Sequence, residues 1–320
     1  MGADATKKGQ KGPDICLHGR LTRRDFVACG AVLSAATLAG GLVALPRRAH
    51  AAVPFLSTAT GTNYKNIVID AVDGLGGMKI FVTSGDVVVV KPNIGWNSTP
   101  ELGGNTHPDV VRTLVELCLD AGASKVKVFD RTCHDARKTY DSSGIQAAVE
   151  GLGDSRATIS FIDDRKFVSM PIPMGTALTE WEFYKDVLDA DRLINVPVAK
   201  NHGSTTLTLS MKNLMGVIGG NRGQIHWNID QKLADISSLI KPNLIVLDAT
   251  RVMLKGGPSG GDIKNVSVQN HVVAGTDPVA VDSYGATLFG MKGTDIGHIR
   301  AAHDMGLGEI DLAKITVKGT

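Results

Sequence analysis

Cysteine is scarce in this chain: four in 320 residues, of which Cys16 and Cys29 fall within the first 51 and Cys118 and Cys133 lie beyond. Two thiols cannot supply the four ligands that an iron–sulfur cluster ordinarily takes, so no cluster is expected in that later stretch. Metal-ligand spacing is missing too, because no Cys-x-x-Cys and no His-x-x-x-His pair occurs. No internal repeat, coiled coil or low-complexity tract is present, which excludes repeat and fibrous architectures. An excess of one charge is also lacking. The 34 Lys and Arg nearly balance 32 Asp and Glu, and residues 1–51 hold eight of the former and three of the latter. The remainder therefore carries a net charge of about −3. That removes the electrostatic basis for binding nucleic acid or an anionic membrane.

The first 51 residues read as an export address rather than part of a fold. Arg20-Leu-Thr-Arg23-Arg24-Asp-Phe26 precedes an apolar stretch reaching Leu45, and Arg47-Arg48-Ala49-His50-Ala51 follows. Paired arginines, a run kept only weakly hydrophobic by Gly30, Gly40 and Gly41, and a small-residue Ala-x-Ala site form a bacterial twin-arginine signal. Residues 1–51 are thus expected to engage the twin-arginine (Tat) machinery and be removed, leaving a periplasmic or extracytoplasmic protein with no stable membrane span. Residues 52–64 read as a linker and 65–320 as the folded domain. In an oxidising compartment Cys118 and Cys133 are free to form a disulfide, although their spacing says nothing about geometry.

Beyond the linker, strand and helix patterns alternate. Asp86-Val-Val-Val-Val90 is a continuous apolar run ending at Lys91-Pro92-Asn93, as expected of a parallel strand buried on both faces. Pro108–Asp120 reads as a helix capped by Thr106 and stopped at Gly122. Further strands are expected at residues 125–129, 158–162, 192–196, 206–210 and 244–247. Helices are expected near 144–151 and 230–240, from Pro278, and over 296–305. This alternation predicts a mainly parallel, three-layer α/β sheet with helices on both faces.

Chemistry-bearing residues follow the strands: Lys91 and Asn93 after the first, Asp130 and Arg131 after the second. Asn195, Pro197, Lys200 and His202 come after Ile194, and Asp248 comes after Leu247, ahead of the glycine run 256–261. Ligands of open parallel sheets bind outside the carboxyl ends of strands, so these residues point to one shared crevice. Each alone is equally explained as a cap or turn residue.

Several linked segments carry a family resemblance. They are Val90-Lys91-Pro92-Asn93, Thr106-His107-Pro108, Asn195-Val-Pro197-Val-Ala-Lys200-Asn-His202 and Ser210-Met-Lys212-Asn213-Leu-Met-Gly216. Asp248-Ala, Gly257-Pro258-Ser259-Gly260 and Ala274-Gly275-Thr-Asp277-Pro278-Val-Ala280-Val-Asp282 continue the pattern. From about residue 65 onward the chain resembles the domain-of-unknown-function family 362. The resemblance implies a suspected iron–sulfur connection, since many relatives carry cysteines or an attached four-cysteine module that this chain lacks.

Lys91, Lys200 and Lys212 would concentrate positive charge in a slightly acidic protein, and buried lysines call for a carboxylate or phosphate, or for Asp and Glu partners. Lys200 and His202, two apart on an extended segment, share a face, so the lysine could hold an anion while the histidine moves a proton near neutral pH. The expected catalytic set is His202, Lys200 and Asp130. Asn93, His107, Asn195, Asn213, Gly257 and Ser259 join Lys91 and Lys212 as expected substrate contacts. In the structural alternative the lysines pair with Asp130, Asp248 or Asp282 and only hold the crevice together. A divalent metal is a candidate cofactor on His202, His226 and Asp248. Cys133 is a candidate nucleophile weighed against an inert loop thiol. The glycine run lacks the spacing of a nucleotide loop, and Trp96, Trp181 and Trp227 read as core or rim packing. The expectation is an exported α/β enzyme acting on a small anion. The competing expectation is a non-catalytic carrier of a ligand or redox cofactor that serves a redox partner.

Overall fold

The computed structural model describes residues 55–319, so the export signal read over residues 1–51 lies outside the described residues. In chain order the first elements are β1 (Phe55–Thr60), α1 (Tyr64–Asp73), β2 (Val87–Pro92), α2 (Pro108–Asp120), β3 (Lys125–Val128), α3 (Ala136–Ser142), α4 (Ile145–Glu150) and β4 (Ala157–Ile159). Then come β5 (Phe167–Pro171), β6 (Glu180–Tyr184), α5 (Lys185–Leu188), β7 (Arg192–Val196), β8 (Val198–His202), β9 (Thr206–Thr208) and α6 (Ser210–Asn213). The last are α7 (Ile229–Leu239), β10 (Leu244–Met253), β11 (Val266–Gly275), α8 (Pro278–Thr287), α9 (Gly297–Asp304) and β12 (Thr316–Gly319).

The main sheet has the order β12-β1-β11-β10-β7-β2-β3-β4, with β8 and β9 joined to it through β10. Pairing is parallel from β10 through β7, β2 and β3 to β4. β11 runs antiparallel to both of its neighbours, β1 and β10. The valine run of β2 shows why the sheet is central: Val88 and Val90 pack with Ile67 and Val68 of α1 and Leu114 of α2, whereas Val89 packs with Phe183 and Leu233 on the opposite face. Each fully buried valine stabilises by roughly 1.5 kcal/mol or more, so a strand with apolar residues at every position needs cover on both sides. On the second face α8 and α9 pack against Ile245 and Leu247 of β10. The fold is a mainly parallel three-layer α/β sheet.

Three local outcomes differ from the sequence reading. Residues 55–60 of the expected linker form β1, which lies inside the sheet between β12 and β11. The α2 cap is His107, whose Nδ1 accepts the Asp109 amide at 3.2 Å, not Thr106. Thr106 Oγ1 instead accepts the Asn93 amide and donates to Val196 O, tying the ends of β2 and β7 together. The expected strand over 206–210 stops at Thr208, and Ser210 opens α6 because Asp282 of α8 accepts the Ser210 and Met211 amides. Among the described residues no helix is long and apolar enough to cross a membrane.

From β2 the chain winds outward to β3 and β4, then returns through the separate β5–β6 hairpin to β7 on the other side of β2. The crevice outside the carboxyl ends of β2 and β7 is therefore the topological switch point, the usual ligand position in such sheets. Beyond Pro197 the chain continues as β8, paired at Met253↔Lys200, which carries Lys200 and His202 past the end of β7 to the crevice.

Candidate functional site

A cavity of about 300 Å³ opens there, lined by the ends of β2 and β3, by β8 and α6, and by the turn Arg222–His226. Lys91, Asn93, Asp130, Lys200, His202, Lys212 and Asn213 all face it, as does His226. Most of the predicted catalytic and binding residues thus converge on one site.

Lys91, fully buried, is the saturated member. Its Nζ lies 2.8 Å from Asp130 Oδ1 and donates to Pro92 O at 2.8 Å and Asn213 Oδ1 at 2.9 Å. Asp130 is fixed in turn, because its Oδ2 accepts the Ile94 amide at 2.6 Å. Burial pushes the Lys91 ammonium below its ordinary range, and the Asp130 carboxylate opposes that shift. Gly216 covers the pair so closely that a Cβ there would lie 1.6 Å from Asp130 Oδ1 and 2.5 Å from Lys91 Nζ. The residue must be glycine for backbone to approach the ion pair.

Asn213 carries the network onward. Its Oδ1 also accepts from Asn93 Nδ2, while its own amide donates to Lys91 O and Asn195 Oδ1. Asn93 Oδ1 then accepts from Lys200 Nζ at 3.0 Å. Amides suit this chain because each offers a carbonyl to a cation and N–H groups to backbone oxygens.

Lys200 and Lys212 lack the partner that Lys91 has. Lys200 is 1% exposed and among the described residues donates only to Asn93 Oδ1 and Gly104 O, with the Trp96 ring centroid 5.8 Å from its Nζ. Lys212 Nζ donates to the Met215 sulfur at 2.9 Å, a weak acceptor. Among the described residues neither has a carboxylate within 4.0 Å. Burial, with Lys212 and Lys91 nearby, brings Lys200 down to about 7. Burial and the Arg222 and Lys91 charges bring Lys212 down to about 8. Arg131 and Arg222 add two guanidinium groups to the cavity wall, held by backbone carbonyls: Arg222 donates to Arg131 O and Thr132 O, and Arg131 to Ile218 O and Gly220 O.

His202 differs from expectation. Burial and the Lys212 and Lys200 charges lower its pKa to about 3, so it is neutral at physiological pH. Its Nδ1 accepts the Ser204 amide at 3.1 Å, which places the ring proton on Nε2. The imidazole is thus a hydrogen-bond donor, and the proton-transfer role expected of it near neutrality falls within reach of Lys200, brought down to about 7.

Four predicted contacts lie elsewhere. His107 faces a separate surface depression with Tyr64 and Arg251. Asn195 sits one layer beneath, bonded to Asn213 and Ser210 O. Gly257 and Ser259 stay off the cavity wall, which takes Pro258 between them; a Cβ on Gly257 would meet Asn201 O at 1.9 Å, so that glycine serves a close backbone approach. The predicted metal set does not assemble, because the Asp248 carboxylate accepts the His107 amide, the Thr250 amide and the Thr250 hydroxyl. Among the described residues no group of three or more His, Cys, Asp or Glu is placed to hold a metal ion, and His202 is flanked by cations. Cys118 is buried in the α2 core and Cys133 is exposed at the cavity, both as free thiols, so no disulfide joins them and they do not form a shared cluster-binding set. Trp96 lines the cavity instead of merely packing. Arg222 and Met215 were missed: Arg222 follows no strand in the sequence, and Met215 reads as an ordinary core residue.

A thylakoid-associated protein of Synechocystis sp. is 26% identical over 242 residues, covering 73% of this chain and 72% of that protein. Among solved structures, a Thermotoga maritima protein aligns with a TM-score of 0.44 and 10% identity over 75% of this chain and 57% of its own. The lactate racemase apoprotein of Thermoanaerobacterium thermosaccharolyticum aligns with a TM-score of 0.45 and 12% identity over 72% of this chain and 56% of its own. The chain therefore spans little more than half the length of either structure. The family model described as Domain of unknown function (DUF362) matches residues 88–287, and the chain belongs to that family.

Proposed function

We propose that this protein is an enzyme that binds a small carboxylate or phosphate compound in the switch-point cavity and moves a proton on it. The observation that carries the reading is the pair of buried lysines, Lys200 and Lys212, that face the cavity without a carboxylate partner. A buried ammonium without a counter-ion costs several kcal/mol, and an anionic ligand removes that cost. Lys212 and Arg222 would hold the anion. Lys200, with a pKa of about 7, would take or give the proton, while His202 Nε2 orients the ligand and Asp130 keeps Lys91 charged and in place. For residues 1–51 we propose export in the folded state by the twin-arginine route, to be tested by retention of the precursor in the cytoplasm when Arg23 and Arg24 are both changed to Lys.

Thermal unfolding of the full-length protein with rising inorganic phosphate, or with a small carboxylate, tests the site. Stabilisation in the native protein and its loss in Lys212→Met is expected. Equal stabilisation of both proteins, or none of either, would sink the assignment.

A further inference from the structure

Lys91 and Lys200 reach the same cavity in opposite hydrogen-bonding situations. Lys91 Nζ donates to Pro92 O and Asn213 Oδ1 and forms a 2.8 Å ion pair with the Asp130 carboxylate, a setting that suits a charged ammonium. Lys200 Nζ has two acceptors, Asn93 Oδ1 at 3.0 Å and Gly104 O at 2.5 Å, and both are neutral. Two acceptors saturate the N–H groups of a neutral amine and leave its lone pair without a protein partner. A fully buried amine beside other cations is also the setting that activates lysine as a nucleophile. Lys212, whose charge acts on Lys200, and Arg222, on the wall of the same cavity, suit an anionic group on the same small molecule.

We propose that Lys200 forms a Schiff base with the carbonyl carbon of a small carbonyl compound that also carries an anionic group. This rests on the anion-binding reading above and narrows its substrate class. The Lys200 amine adds to the carbonyl carbon, and a proton from the nitrogen moves to the oxygen. The resulting carbinolamine expels that oxygen as water, which takes its second proton from the Lys212 ammonium, and a protonated C=N bond remains. Lys212 regains its proton from solvent. No oxidant or reductant takes part.

The experiment exposes the full-length protein to pyruvate and sodium cyanoborohydride near pH 7 and locates reduced adducts by peptide mass mapping. Dihydroxyacetone phosphate replaces the carboxylate with a phosphate, and acetone removes the anion. The expected result is a reduced adduct on Lys200 with one or both anionic probes. Its yield should exceed that with acetone by about tenfold or more, the scale of one charge-assisted hydrogen bond. The preferred probe separates a carboxylate substrate from a phosphate one. Inorganic phosphate should suppress the adduct, and Lys212→Met should reduce it on Lys200 itself. Labelling confined to exposed lysines such as Lys65 and Lys314, with Lys200 unmodified, overturns the inference. Phosphate stabilisation measured alongside separates the two claims: if it persists without Lys200 labelling, only the Schiff base fails, and if both are missing, the anion site fails as well.

Discussion

Two halves of one cavity teach different lessons about buried lysine. On the β2–β3 side, Lys91 is matched to Asp130, roofed by Gly216 and braced by Asn213. On the β8–α6 side, Lys200 and Lys212 are also buried but among the described residues meet only neutral partners, an amide, a carbonyl and a thioether sulfur. The first arrangement finds its counter-ion within the protein. The second has no carboxylate within reach among the described residues, and in the proposed reading an anionic ligand supplies it. The same residue type thus meets a carboxylate on one side of the cavity and only neutral partners on the other.

Substitutions should separate the halves. The largest effect is expected for Asp130→Ala, which leaves the Lys91 charge buried and unpaired and should lower unfolding free energy by about 3–5 kcal/mol in denaturant titrations. Gly216→Ala should act at the same place by steric conflict, at about 1–3 kcal/mol. On the other side Lys212→Met should be neutral or stabilising, by about 1–2 kcal/mol, because it removes a buried charge that has no counter-ion. A strongly destabilised Lys212→Met protein would erase the distinction.

The pH dependence gives a third contrast. Lys200 and Lys212 titrate near 7 and 8 in the folded protein but near the ordinary 10.5 when unfolded. Between those values the unfolded chain binds more protons, so ligand-free stability should rise with pH from about 7 toward 10, by on the order of 1 kcal/mol per pH unit for each lysine. Lys200→Met should flatten that rise. His202 acts lower on the scale: its folded pKa of about 3 against 6.5 means that stability falls as pH drops through that interval. A modest effect is expected for His107→Ala, which should cost about 0.5–2 kcal/mol as a lost helix cap. Because His107 faces a different depression, phosphate-dependent stabilisation should persist there.

The sequence showed the central strands and half of the site for one physical reason. A strand buried on both faces must be apolar throughout, as Val87–Val90 is, and polar residues then stand out where it ends, as Lys91 and Asn93 do. The edge side was harder to read: β1, with Phe-Leu-Ser-Thr-Ala-Thr, and β11, broken by Gln269, Asn270 and His271, carry mixed residues that resemble linker. Asp248 and His107 misled because a polar residue after a strand or before a helix caps as readily as it catalyses, and here Asp248 accepts the His107 amide while His107 Nδ1 caps α2 by accepting the Asp109 amide. The protonation state of His202 was not legible, since it depends on how deeply the ring is buried and then on the charges of Lys212 from α6 and Lys200 on its own strand.

The central claim, that the Lys200–Lys212 half is completed by an anion, is tested most directly by phosphate titration calorimetry at pH 8 in two buffers of different ionisation enthalpy. A bound anion restores charge to the lysines, so binding should take up on the order of one proton and the observed heats should differ between buffers accordingly. Binding with identical heats in both buffers, or the absence of binding, would contradict the account.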